Sequence, residues 1–264
     1  PQARSSTLPP ATIRGAWRCT QRDGIPFISF AMSSIILSQT PSPANFPVTQ
    51  RPMSATPSTP QGSAPENSDA LRERLNNTTA AYSRFVPREF LNLLGIEDIR
   101  KVELGQQVER KMTILFCDIR NFTALSETMS PQENFNFLNS YLVQMEPVIT
   151  AHGGFIDKYI GDAIMALFPD SPDEALRCSQ AMLRQLEEYN DGRQRAGYRP
   201  IRIGIGINTG IVILGTIGGA ARMDGTVIGD AVNLAARLER LTKEYRVSVL
   251  ISDYTLYSLD HPDD

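Results

Sequence analysis

Two strand-like runs, Phe155–Ile160 and Ala163–Phe168, are separated only by Gly161 and Asp162. A link of two residues closes an antiparallel hairpin, and Gly161 supplies the positive φ that a primed turn needs. A parallel neighbour requires a crossover of a dozen or more residues. The hairpin therefore excludes a purely parallel, doubly wound sheet. Strand and helix signals alternate around it, which fits an α+β domain with a mixed or antiparallel sheet and helices on one face.

Those signals are local. Met112–Cys117 is apolar except for Thr113, the mark of a buried strand. Ser130-Pro131-Gln132-Glu133 is a capping box with proline at the first helical position. Phe135, Leu138, Leu142, Met145 and Ile149 recur at helical spacing, and Gly153 ends that helix. Ser171-Pro172-Asp173-Glu174 repeats the capping pattern and opens a second long helix. Ile201–Asn208 and Ile211–Ile217 read as a further strand pair broken near Gly210, and Thr226–Ile228 as a short strand. Asp230 is the expected cap of a helix running to about Tyr245, and Val247–Ile251 reads as another strand.

Upstream, the composition changes. Residues 39–67 hold seven prolines among Ser, Thr, Gln and Ala, too little apolar surface to offset chain entropy. Residues 1–67 are therefore expected to be a disordered tail or linker. Residues 68–106 are expected to be a coupling segment. Leu71, Leu75, Thr78, Tyr82 and Phe85, spaced 4, 3, 4 and 3, outline either a seam that pairs two protomers or a helix packed on its own domain. Glu89–Leu94 reads as a short helix ending at Gly95. Ile25–Leu37 is too short for a membrane span of about 20 apolar residues, so none is expected. A net charge of −3, without a basic stripe, excludes a general nucleic-acid binder. Cys19, Cys117 and Cys178 are few, odd in number and far apart, which suits a reducing, cytoplasmic setting.

Asp118 ends an apolar strand and Asp162 sits in the hairpin turn. If those strands are neighbours, two carboxylates meet at one edge of the sheet, an arrangement that holds Mg²⁺ together with substrate phosphates. An aspartate at a strand end is also an ordinary turn residue. Lys158 reads equally as a solvated lysine, Thr226 as a strand former, and Asn233 and Arg237 as helix-surface polar groups.

The context shifts that balance. Phe116-Cys117-Asp118-Ile119-Arg120-Asn121-Phe122-Thr123, Asp157-Lys158-Tyr159-Ile160-Gly161-Asp162-Ala163 and Val227 through Leu238 (VIGDAVNLAARL) occur in that order. Together they resemble three motifs of class III nucleotidyl cyclases. The resemblance implies a ferredoxin-like, palm-like cyclase domain over residues 107–264, without the family's last hairpin. It implies an adenylyl cyclase that converts ATP to cyclic AMP and pyrophosphate in a homodimer with shared active sites. By position it assigns two Mg²⁺ (or Mn²⁺) to Asp118, Asp162 and the Ile119 carbonyl, base recognition to Lys158 and Thr226, and transition-state stabilisation to Asn233 and Arg237. The amides of Asn121, Phe122 and Thr123, at a predicted helix start, form a phosphate cradle.

Each implied role is chemically sensible. Lys158 donates where adenine N1 accepts, whereas guanine offers a donor there. Asn233 and Arg237, four apart, share a helix face. Many relatives carry Asp where Thr226 stands, so a guanylyl cyclase is an alternative. A diguanylate cyclase is less apt, since Ile160-Gly161-Asp162-Ala163-Ile164 lacks the second acidic residue of that hairpin. A catalytically degenerate regulatory module is the third alternative.

Overall fold

The computed structural model describes residues 17–22, 25–30, 68–82, 84–219 and 221–260, with backbone only in the first two segments. Of the described residues, 68–82 with 84 and 85 belong to one unit and the others to a second. In chain order the elements are β1 (Trp17–Arg22), β2 (Ile25–Phe30), α1 (Ser68–Tyr82), α2 (Arg88–Leu93), β3 (Gln107–Ile119), α3 (Phe122–Ser126), α4 (Pro131–Ala151), β4 (Phe155–Ile160), β5 (Ala163–Phe168), α5 (Pro172–Arg195), β6 (Ile203–Gly219), β7 (Arg222–Ile228), α6 (Asp230–Tyr245), β8 (Val249–Ser252) and α7 (Asp253–Leu256).

The sheet runs β1-β2-β8-β6-β3-β5-β4, with β7 on β6. Its β6-β3-β5-β4 part is antiparallel throughout and has the ferredoxin-like order, while β8 joins β6 in parallel. The sheet is thus mixed and not purely parallel, in keeping with the hairpin, and Gly161 holds φ +67° in its turn. Two strands lie within the expected tail: β1 and β2 form a hairpin whose β2 pairs in parallel with β8. The expected linker, 39–67, lies outside the described residues. No helix among the described residues is long and apolar enough to cross a membrane.

α1, by itself, buries none of its residues, and Leu71, Leu75 and Tyr82 each expose more than half their surface. α4 starts on the predicted capping box: Ser130 Oγ accepts from Glu133 N at 3.3 Å, and Glu133 accepts from Ser130 N at 2.8 Å. Its core stripe is Phe137, Tyr141, Met145 and Ile149, whereas Phe135 stands 64% exposed. The α4 stripe is set by what α5 and the sheet cover. At the start of α5, Ser171 caps Asp173 N, but Glu174 pairs with Arg177 instead of closing a second box.

Side chains alternate across β3, so Leu115, Cys117 and Ile119 meet α4 and α5 on one face. Met112, Ile114 and Phe116 face the opposite core with α2 and α6. Helices therefore cover both faces, not one as expected. β6 makes the second layer possible. A Cβ on Gly206 would strike the backbone of Ala235 and Glu239, and one on Gly210 would strike Ala231. These glycines admit α6 to close contact. The expected break at Gly210 does not exist, and β6 is one strand of 17 residues. Asp230 begins α6 as its first residue; the cap position is Gly229.

Candidate active site

The register that pairs Cys117 with Ile164 carries the end of β3 and the β4–β5 turn to the same edge of the sheet. Asp118 and Asp162 meet there, both half-buried, with Ile119 buried between the turn and the core. The Asp162 carboxyl is pushed up to about 7, first by burial and then by its hydrogen bond and charge contact with Asp118. Its Oδ2 is buried without a hydrogen-bond partner. Crowded carboxylates and an unpartnered buried oxygen are what a divalent cation relieves, so the residues fit a Mg²⁺ or Mn²⁺ site. Among the described residues, no group of three or more His, Cys, Asp or Glu is placed to hold a metal ion. Such a pair suits hard ions that keep waters and take substrate phosphates.

The chain then turns sharply. Asn121 adopts φ +58° and precedes α3. Phe122 stacks on Phe137 of α4 with ring centroids 6.2 Å apart, anchoring the turn. The opening amides of a helix have no partner within it, and Asn121, Phe122 and Thr123 stand at the start of α3.

Lys158 lies just past a register shift between Ile156 and Lys158, a bulge that re-aims its side chain. Its Nζ donates to Thr226 Oγ1 at 3.1 Å and lies 3.4 Å from Asp157 Oδ2. Burial pushes the Asp157 carboxyl up, and Lys158 pulls it back. Thr226 reaches this point because β7 pairs along β6, opposite Gly215. Lys158 and Thr226, expected as the base-recognising pair, are thus brought into contact within one chain.

Asn233 and Arg237 share an exposed face of α6, and neither side chain has a hydrogen bond or ion pair among the described residues. The chain brings together Asp118 with Asp162 and Lys158 with Thr226, and leaves Asn233 and Arg237 exposed on α6. Sequence reading missed the groups that hold α6 in place. Asn208 donates to the Ala231 carbonyl at 2.9 Å, and Ser252 donates to Asn208 Oδ1 at 2.6 Å. Arg120 forms an ion pair with Glu239 at 3.0 Å. The signal available for them was the run of glycines in an apolar strand at 204, 206 and 210.

The family model for the adenylate and guanylate cyclase catalytic domain matches residues 104–263, more than half of the chain. The chain belongs to that family. The chain is 47% identical over 195 residues to an adenylate cyclase of Anabaena cylindrica, covering 72% of this chain and 39% of that protein. It is 41% identical over 207 residues to a terminal-differentiation specific adenylate cyclase of Dictyostelium discoideum, covering 76% of this chain and 10% of that one. The chain thus spans well under half of these relatives. Among solved structures, it is similar to a bacterial light-regulated adenylyl cyclase, with TM-score 0.63 and 29% identity, covering 74% of this chain and 60% of that one. It is also similar to the guanylyl cyclase Cya2, with TM-score 0.53 and 39% identity, covering 57% and 79%.

Proposed function

We propose that this cyclase domain converts ATP to cyclic AMP and pyrophosphate in the cytoplasm, as a homodimer with two shared sites. O3′ of the ribose attacks the α-phosphorus, the bond from that phosphorus to the bridging oxygen breaks, and pyrophosphate leaves. The observation that carries the choice of ATP is the Lys158–Thr226 hydrogen bond at 3.1 Å. Lys158 offers a donor to adenine N1, and Thr226 Oγ1 accepts from the exocyclic amine.

Asp118, Asp162 and the Ile119 carbonyl would hold two Mg²⁺ or Mn²⁺. Bound there, the ions would lower the charge on the triphosphate and favour ionisation of the 3′-hydroxyl. The remaining work falls to positioning and charge. The amides of Asn121, Phe122 and Thr123 hold phosphate oxygens. Asn233 orients the ribose, and Arg237 meets charge developing on the phosphorus. Exposure of these two on α6 supports their service to the partner's metal pair. The exposed Leu71, Leu75 and Tyr82 of α1 further support pairing with a second copy.

Incubating the purified chain with ATP or GTP and Mg²⁺ or Mn²⁺, and identifying the product by mass spectrometry, tests the reading. Cyclic AMP is expected as the main product. Cyclic GMP in excess, or no cyclic nucleotide, overturns it.

A further inference from the structure

Arg120 follows the metal turn directly, yet its side chain leaves that turn. Nη1 donates to Glu239 Oε1 at 3.0 Å and Nη2 to the Glu239 carbonyl at 3.5 Å. Side-chain exposure is 15% for Arg120 and 8% for Glu239, so the pair is largely withdrawn from water. The backbone is pinned as well, since Arg120 N donates to the Arg202 carbonyl at 2.8 Å.

The fold makes room for this contact. A Cβ on Gly204 would collide with the Arg120 guanidinium and with Thr242 Oγ1. A Cβ on Gly206 would strike the Glu239 backbone. Two glycines on one face of β6 therefore clear a channel from the metal turn to α6. Glu239 stands two residues beyond Arg237 on that helix. Burial pushes its carboxyl up, and Arg120 pulls it back, so the two charges need each other.

We propose that Arg120 is a positioning residue: its bridge to Glu239 clamps the Asp118–Ile119 turn to the helix that carries Asn233 and Arg237. This rests on the cyclase reading. In a dimer with shared sites, the two clamped parts serve different sites. One bridge then fixes the metal half of one site and the transition-state half of the other. Groups that orient metal ligands from behind commonly change metal affinity or activity by roughly 10- to 100-fold when removed.

The test uses the full chain with Arg120→Met/Glu239→Gln, which removes both charges and leaves no buried ion unpaired. A second variant, Gly204→Ala, displaces the guanidinium without changing any charge. Mn²⁺ binding is read by electron paramagnetic resonance with 2′,3′-dideoxy-ATP, which cannot cyclise. Turnover of ATP and the melting temperature are read in parallel. Each folded variant is expected to bind Mn²⁺ roughly 10- to 100-fold more weakly and to turn over more slowly. Wild-type Mn²⁺ affinity and kcat in either folded variant overturn the proposal, whatever the melting temperature does. A wild-type chain that makes no cyclic nucleotide overturns the cyclase reading instead, and this inference with it.

Discussion

Lys158 on β4 donates to Thr226 on β7 across 68 positions of sequence, at 3.1 Å, with Asp157 Oδ2 at 3.4 Å on its other side. The lysine is therefore held by groups of its own chain, and in the proposed role as base reader it would lose less side-chain freedom on binding.

The pair predicts a change of base preference. Lys158→Glu replaces a donor with acceptors that suit the N1–H and amino group of guanine. Efficiency with ATP is expected to fall about 10- to 100-fold, the usual worth of a hydrogen bond to a charged group. Efficiency with GTP falls less. Steady-state kcat/KM for both nucleotides checks this. Equal losses would show that Lys158 does not read the base.

The carboxylate pair predicts loss of metal and activity together. Asp118→Ala and Asp162→Ala should each lower turnover by about a thousandfold or more, because charge stabilisation at the phosphates is lost. The domain should remain folded, since the two residues are only partly buried, one near the end of β3 and the other in the β4–β5 turn. Circular dichroism, Mn²⁺ titration and product assays check the three parts. Wild-type turnover in either variant removes the metal assignment.

A site shared between two protomers, as proposed, predicts complementation. An Asp118→Ala chain keeps its α6 pair, and an Arg237→Ala chain keeps its carboxylates. Random pairing makes half the dimers mixed, each with one whole site of two. Mixed chains should therefore recover about one quarter of wild-type activity, while each alone is nearly inactive. Recovery is read after confirming subunit exchange by labelled pull-down. A mixture as inactive as its parts, with exchange confirmed, rules out shared sites.

Cys117 and Cys178 are both buried, and burial pushes each thiol up to about 12. At pH 8 only about one such thiol in ten thousand is ionised, and the thiolate is the reactive form. Both are expected to resist iodoacetamide in the native protein and to react within minutes in denaturant. Peptide mass mapping after timed alkylation checks this. Rapid native labelling of either would mean that the α4–α5 face of the sheet opens readily.

Local chemistry determined much of this protein. Gly161 and Asp162 dictated the hairpin because two residues admit few turns, and both strands have the predicted bounds. Ser130 and Glu133 dictated where α4 starts because a capping box is closed within one turn. The order of three motifs was legible for the same reason: each is a short run of residues whose spacing needs no knowledge of the fold.

Tertiary structure decided what spacing cannot encode. Gly210 looked like a break, yet it lies inside β6, because a glycine needed for helix approach and one needed for a turn are the same letter. Phe135 and Phe137 both fit helical periods, and only the packing of α5 and the sheet chose Phe137 for the core. The Lys158–Thr226 and Arg120–Glu239 contacts span 68 and 119 positions. Contacts at that range depend on strand register and on where α6 rests, and these are set by the sum of the core, not by any neighbouring residue.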